Sequence, residues 1–284
     1  MKKRCLTILV SLIAALFLFA CQQEEEKSND AQGDRQSELD VEEMSDNDTL
    51  KEEEPENDLE VDNDTDQPKG EEEPLYTINP STWAVEPLEE GTNPQVALIT
   101  IDDAPDQYAL DMAHTLKALD APAIFFVNGR FLQTEEKHHV LKEIHELGFM
   151  IGNHTSTHPN LGEISEEEQR KEIIELNDLV EEIIGERPKF FRAPFGANTD
   201  TSHAVAEEEG MVVMNWTYGY DWEPDYTNAE ALADIMINTP YLSAGANLLM
   251  HDREWTNEAL ETIVTGLRDK GYELVDPTTL KRLD

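Results

Sequence analysis

Residues 96–103, Val-Ala-Leu-Ile-Thr-Ile-Asp-Asp, join a short apolar run to two adjacent acids. The run is rich in β-branched residues and has no polar alternation, which is typical of a strand buried on both faces. Strands of this kind occur in parallel sheets whose faces are covered by helices. The stretch therefore predicts a central parallel strand followed directly by the two aspartates.

Strand and helix patterns alternate through the rest of this region. Further apolar runs predict strands at residues 123–127, 190–192, 211–215, 248–251 and 272–275, with a shorter apolar piece at 149–151. Helical spacing is found at residues 106–119, 135–147, 200–209, 228–238 and 256–270. Ser165 and Glu168 form a capping-box pattern that starts one more helix, ending near Ile184. Repeated β-then-α units predict an α/β fold, and the pattern alone does not separate a barrel from an open sheet.

The charge of the 284-residue chain is strongly acidic, with 21 Lys and Arg against 62 Asp and Glu and a net charge of −41. This balance argues against binding to nucleic acid or to anionic lipid through a basic surface. The length fits one domain of about 200 residues together with segments that do not fold. No protein partner is inferred.

Residues 1–20 have the pattern of an export signal. Three basic residues precede a 14-residue apolar run, Leu6 to Phe19, which is too short to cross a bilayer. The ending Leu18-Phe19-Ala20-Cys21 resembles a bacterial lipobox, which implies that Cys21 is lipidated. An ordinary signal peptide is the alternative. Localisation is therefore expected to be extracytoplasmic, with a lipid anchor in the cell membrane of a Gram-positive-like bacterium.

Residues 21–74 are expected to form a disordered acidic tether. Positions 22–74 contain 23 acidic and 4 basic side chains and no aromatic residue, so they cannot bury enough surface to fold. A calcium-binding or partner-binding tract is the alternative, but ligand spacing is missing. Residues 75–94 lead into the domain, which is placed at 95–284.

Polar residues follow several predicted strands. Asp102 and Asp103 follow the first, and Ala104-Pro105 are expected to open the next helix. Arg192 follows a strand end, where it needs an anionic partner such as these aspartates. The alternatives are helix capping by one aspartate and a surface salt bridge for the arginine.

His154 and His158 have i, i+4 spacing, which on a helical turn places both imidazoles beside one ion. This spacing alone leaves a metal site and chance about equally favoured. With Asp103 the two histidines supply three ligands and leave a position open, which is typical of catalytic sites.

Five motifs, in order, resemble those of the polysaccharide deacetylase family, also called the NodB-homology domain. They are Thr100 to Pro105, His154 to His158, Arg192 to Gly196, Asp221-Trp222 and Leu249 to His251. The resemblance implies a distorted (β/α) barrel of parallel strands with outer helices. It also implies a divalent metal, most simply Zn²⁺ with Co²⁺, Ni²⁺ or Mn²⁺ as alternatives, held by Asp103, His154 and His158.

The resemblance implies further roles. Asp102 would be the general base, oriented and tuned by Arg192 and Asp221, and His251 the general acid. A backbone N–H near Phe195 would stabilise the oxyanion. Trp222 and Leu249 would form the pocket for the acetyl methyl, and substrate would also contact Pro194, Phe195 and Gly196.

The expected activity is hydrolysis of N-acetyl groups on peptidoglycan, from N-acetylglucosamine or N-acetylmuramic acid. Alternatives are an O-acetyl esterase on xylan-like polymers, a deacetylase of chitin oligomers or poly-N-acetylglucosamine, and a non-catalytic carbohydrate-binding protein. Three positions depart from the family pattern, Ile101 for Phe, Ala104 for Gly and Phe195 for Tyr, and they affect substrate fit rather than a catalytic group.

Overall fold

The computed structural model describes residues 73–283. The predictions for the signal peptide, for Cys21 and for nearly all of the tether lie outside the described residues and stay predictions. Within residues 73–283, none of the helices combines the length and the apolar composition that crossing a membrane requires.

An antiparallel hairpin begins the described part of the chain. It joins β1 (Tyr76–Ile78) to β2 (Val85–Pro87), and the Val85 N–H donates to the Gly245 carbonyl at 2.8 Å. The sequence did not predict these strands, because each has only three residues and shows no clear alternation.

The main sheet is parallel throughout. Its strands are β3 (Val96–Ala104), β4 (Ala123–Val127), β5 (Met150–Asn153), β6 (Phe190–Phe191), β7 (Val212–Val213), β8 (Ala246–His251) and β9 (Glu273–Leu274). They are ordered β7-β6-β5-β4-β3-β8, and β9 pairs with the start of β3. The predicted α/β fold with parallel strands and outer helices is confirmed.

Six α-helices connect these strands. They are α1 (Ala109–Ala118), α2 (Glu135–Glu146), α3 (Glu166–Ile184), α4 (Asp200–Glu208), α5 (Ala229–Asn238) and α6 (Glu254–Asp269). The predicted capping box at Ser165 is present, and α3 ends at Gly185 with φ 83°, a left-handed conformation that glycine adopts without strain.

The expectation that Ala104-Pro105 open a helix was wrong. The peptide bond between them is cis, residues 105–108 form a turn, and α1 begins only at Ala109. The buried Asp252 carboxylate accepts the Tyr108 N–H at 2.6 Å, so this turn is tied to the end of β8.

The central strand β3 is buried on both faces, as predicted. Ile99 and Ile101 belong to the core formed with the helices. Leu98 packs in a second core with Phe126 and the hairpin. Because side chains alternate along a strand, Thr100 and Asp102 continue the Leu98 face. The face of β3 that carries Leu98 therefore ends, at the carboxyl end of the strand, in the polar side chains of Thr100 and Asp102.

Candidate metal and catalytic site

Asp102 and Asp103 lie within β3 rather than after it, which corrects the predicted strand end. Adjacent residues of a regular strand point to opposite faces. Here the register with β4 shifts between Ile101 and Ala104, and Asp103 has φ 63°. This bulge allows both carboxylates to reach one site, at a cost of about 1–3 kcal/mol for the left-handed residue.

The predicted helical turn around His154 and His158 was wrong, although the prediction that they share one site was correct. Both residues lie in an irregular loop after β5, where Thr155 and His158 have φ 67° and 63°. The buried side chain of Asn153 accepts the Thr155 N–H at 2.9 Å. Its amide donates to Asn177 Oδ1 at 2.8 Å. Buried amides of two elements therefore fix the loop.

Asp103, His154 and His158 could hold one metal ion, because one potential ligand atom from each lies within 4.8 Å of the other two. Asp103 Oδ1 is buried without a hydrogen-bond partner among residues 73–283. A buried oxygen of this kind is expected where a carboxylate coordinates a cation. His154 Nδ1 lies 2.7 Å from the Arg192 carbonyl and donates to it, which leaves Nε2 available as a ligand. The residues present therefore fit a divalent metal.

The charge states of these ligands also suit a metal. Burial alone would raise the pKa of the Asp103 carboxyl, but the nearby histidines and Arg253 lower it below its usual value. Burial, aided by His154, lowers the pKa of His158 to about 4. At neutral pH the carboxyl is ionised and the imidazole is neutral, which are the forms that bind metals.

Asp102 is bound to a fully buried arginine. Arg192 Nη1 donates to Asp102 Oδ1 at 2.6 Å and to Thr100 Oγ1 at 2.8 Å. Its Nη2 donates to the Asn215 carbonyl at 2.9 Å, and its guanidinium lies 4.2 Å from the centre of the Phe126 ring. The predicted anionic partner of Arg192 is confirmed, and Asp102 Oδ2 lies 3.5 Å from His154 Nε2.

Asp221 contacts His251, which corrects the expectation that it tunes Asp102. Asp221 Oδ1 lies 2.7 Å from His251 Nδ1, and Oδ2 accepts the His251 N–H at 2.5 Å and the Thr256 hydroxyl at 2.8 Å. Burial lowers the pKa of His251, but the charge and hydrogen bond of Asp221 outweigh it, and the net shift is upward. The sequence could not assign this partner, because both candidates lie at strand ends.

Exposed aromatic rings surround the mouth of the site. The Phe195 ring is 68% exposed and its centre lies 4.9 Å from that of His158. The Trp222 ring, 45% exposed, lies 5.5 Å from that of His251. Phe195 has φ 60° between Pro194 and Gly196, and Leu249 is buried. A side chain at Gly219 would meet both the Leu249 carbonyl and the Trp222 ring. Of the predicted substrate residues, Phe195 and Trp222 thus expose their rings beside His158 and His251, whereas Pro194 and Leu249 are buried.

Four further side chains at the site were not predicted from the sequence. Thr100 and Thr256 bind Arg192 and Asp221, and a guanidinium nitrogen of Arg253 and one of Arg130 lie 3.2 Å and 4.0 Å from the Asp103 carboxylate. Both arginines follow strands, Arg130 after β4 and Arg253 after β8. The strand-end rule that selected Arg192 would have found them.

Comparison with known proteins supports a family assignment. A family model described as polysaccharide deacetylase matches residues 89–214. Two Bacillus cereus proteins named peptidoglycan-N-acetylglucosamine deacetylase are 29% and 30% identical over 188 and 191 residues. Each match covers 64% of this chain, and the chain spans 66% and 69% of the two relatives.

A solved structure from Bacillus anthracis has a similar fold. It is named a CE4 family pseudoenzyme, is 29% identical, and aligns with a TM-score of 0.58 over 63% of each chain. Its name shows that the fold alone does not establish activity in this group. The chain covers 69% of a relative that is 30% identical to it. The family model also matches the region that holds the candidate metal ligands. The chain therefore belongs to the polysaccharide deacetylase family.

Proposed function

We propose that this chain is a metal-dependent deacetylase that hydrolyses N-acetyl groups on peptidoglycan sugars. One observation carries the proposal: Asp102 and His251 are register partners on adjacent strands, one paired with a buried cation and the other with a buried anion. Such an arrangement provides a proton acceptor and a proton donor beside the same metal ligands. The names of the Bacillus cereus relatives support peptidoglycan as the substrate.

The proton transfers can be assigned to this chain's own side chains. Asp102 accepts the proton of the attacking water through Oδ2, since Arg192 donates to Oδ1. When the carbon–nitrogen bond breaks, His251 donates a proton to the departing amine, since Asp221 holds Nδ1 and leaves Nε2 available. Asp103, His154 and His158 would hold a divalent ion, which would supply a Lewis acid able to acidify water and to polarise the acetamide carbonyl.

The remaining residues bind and orient substrate in this proposal. Trp222 and Leu249 take the acetyl methyl into the apolar part of the opening, and the Phe195 backbone N–H donates to the carbonyl oxygen as negative charge develops there. Pro194 and Gly196 set the backbone that presents this donor.

Zinc is the proposed metal, because two imidazoles and one carboxylate with an open position suit it. Elemental analysis of the purified chain tests this. Near one zinc per chain is expected, and a stoichiometric content of another metal would replace zinc in the proposal.

The function is tested by acetate release. The full chain is incubated separately with peptidoglycan, chitin oligomers and acetylated xylan. Each reaction is repeated with chelator, again after zinc is restored, and with the Asp102→Asn variant. Acetate from peptidoglycan that chelator abolishes and zinc restores is the expected result. Acetate from xylan alone would replace the amidase with an esterase. Absence of acetate from every polymer, with zinc bound, would favour a non-catalytic carbohydrate-binding protein.

We also propose that a lipid on Cys21 holds the chain at the outer surface of the cell membrane and that the acidic residues 22–74 separate the domain from it. The lipobox resemblance and the run of acids support this. Labelling cells with a radioactive fatty acid tests it. Label in the wild type and none in Cys21→Ala is expected, and equal label in both would contradict the anchor.

A further inference from the structure

Arginines are concentrated at the metal ligands in spite of the acidic composition. Residues 73–283 contain Arg130, Arg170, Arg187, Arg192, Arg253, Arg268 and Arg282. Three of these seven have a guanidinium nitrogen within 4.0 Å of Asp102 or Asp103. Arg192 is buried beneath the site, whereas the other two lie at its opening.

The two arginines at this opening are more exposed than the carboxylates beside them, including Asp106, which is 26% exposed and lies 3.8 Å from Arg253. The side chains of Asp102 and Asp103 are only 3% and 6% exposed, whereas Arg130 and Arg253 are 45% and 33% exposed. A ligand that approaches the metal ligands therefore meets guanidinium groups first. Such groups form paired hydrogen bonds with carboxylates.

Arg130 has guanidinium donors that no acceptor within residues 73–283 engages at hydrogen-bond distance. Its guanidinium lies 4.0 Å from Asp103 Oδ1, which is beyond hydrogen-bond distance, and 4.6 Å from the centre of the Phe131 ring. The backbone at this position is fixed, since Asn128 Oδ1 accepts the Arg130 N–H at 3.0 Å. Arg253 has fewer available donors, because its guanidinium donates to Asp103 at 3.2 Å and to the Asp252 carbonyl at 3.0 Å.

We propose that Arg130, supported by the charge of Arg253, forms an anion subsite that selects an acetylated sugar carrying a free carboxylate. The sugar it fits is N-acetylmuramic acid with an unsubstituted lactyl group, in preference to neutral N-acetylglucosamine. This inference rests on the proposed deacetylase function and names the sugar on which that site acts.

The chemistry of the sugar matches the position of the subsite. In N-acetylmuramic acid, the lactyl group is attached to the ring carbon next to the one that carries the acetamide. A site that places the acetamide at the metal ligands therefore places the carboxylate close by. Arg130 reaches within 4.0 Å of one of those ligands, Asp103. A stem peptide joined to the lactyl group removes the charge, so peptide-free glycan is the favoured form.

The test compares one glycan with and without its carboxylates. Peptide-free glycan strands are used directly, or after their carboxylates have been coupled to methylamine to give neutral amides. The full chain loaded with zinc acts on both, and mass spectrometry of the fragments identifies which sugar has lost its acetyl group. The wild type should deacetylate muramic acid residues with a kcat/KM about 10-fold higher in the charged strands, mainly through KM, because a hydrogen bond to a charged group is lost in the amide.

Two variants separate a specific contact from general charge. Arg130→Gln should reduce the 10-fold ratio to less than about 2-fold, and Arg130→Lys should restore part of it. Arg170→Gln is the matched control, because Arg170 is 44% exposed, pairs with Glu208 on the outer surface and loses the same charge. The control should retain the ratio.

The inference is overturned if the wild type treats the two strands alike, if Arg130→Gln retains the ratio, or if only glucosamine residues are deacetylated. Direct binding provides a second measurement that does not require turnover. Titration should show about 10-fold tighter binding of N-acetylmuramic acid than of N-acetylglucosamine, and Arg130→Gln should remove the difference. If no strand releases acetate, the proposed function fails, and these titrations still decide the anion subsite.

Discussion

The base side of the site and its acid side differ in the charge that supports them. At the ends of β3 and β6, the buried cation Arg192 holds Asp102. At the end of β8, the buried anion Asp221 holds His251. The cation holds one oxygen of Asp102 and leaves the other to face the metal ligands. The anion raises the pKa of His251, which favours the protonated imidazole that can donate a proton. Two elements of the same sheet thus acquire opposite roles from the partner that each receives.

The largest expected effect follows from removing the cation on the base side. Arg192→Met should lower the free energy of unfolding by about 3–5 kcal/mol, because it leaves a buried carboxylate without its partner. Urea unfolding measures this. Arg170→Met, which breaks one exposed pair with Glu208, should cost less than about 1 kcal/mol. Similar losses in the two variants would contradict the assigned role of Arg192.

Removing the anion on the acid side should change pH dependence more than stability. In the wild type, the raised pKa of His251 keeps the protonated donor present to a higher pH than an ordinary histidine would allow. Asp221→Asn removes the charge that raises this pKa, so the alkaline fall in kcat should move to lower pH. If the pKa of His251 falls by about one, kcat measured at a fixed pH on the alkaline limb should fall about 10-fold.

The matched control for this change is Asp225→Asn, because Asp225 is an exposed acid in the same loop. It should leave the kcat profile where the wild type has it. An alkaline limb that stays in place in Asp221→Asn, or that moves equally in both variants, would show that Asp221 does not set the pKa of His251.

A smaller effect should follow from removing one of the hydrogen bonds that Asp221 accepts. Thr256→Val keeps the shape of the side chain but removes the hydroxyl that donates to Asp221 Oδ2 at 2.8 Å. A loss of about 1 kcal/mol in unfolding free energy is expected, with a few-fold fall in kcat. Thr265→Val is the control on the same helix, since its exposed hydroxyl donates only to backbone carbonyls. An equal loss in the control would remove any special role for Thr256.

The sequence predicted those parts of the molecule that local periodicity encodes. β4 was predicted at its observed bounds, and the capping box at Ser165 starts α3. These features depend on nearby residues, so a single sequence contains the information. The three-residue strands of the hairpin were missed because their pairing depends on contacts with Gly245 and Leu280, far along the chain.

The sequence predicted that Asp103, His154 and His158 come together, but it predicted neither the four neighbouring side chains nor the backbone geometry of the site. Asp103, Thr155, His158 and Phe195 all have positive φ, and none is glycine. Tertiary contacts impose such conformations, which local preference disfavours. The partner predicted for Asp221 was wrong for the same reason. Which strand-end groups meet depends on the conformations of the loops, and the motifs do not specify these. The similar fold named a pseudoenzyme shows why this geometry matters more than the fold itself.

The most direct test of the account is a zinc titration, paired with acetate release, on the isosteric variants Asp102→Asn and Asp103→Asn. The two residues are adjacent and both are buried, yet the structure gives them different partners. Asp102→Asn should bind zinc within a few-fold of the wild type and release acetate at least about 100-fold more slowly. Asp103→Asn should lose zinc affinity by about 100-fold or more. Normal zinc binding by Asp103→Asn, or loss of zinc from Asp102→Asn alone, would contradict the division of roles between them.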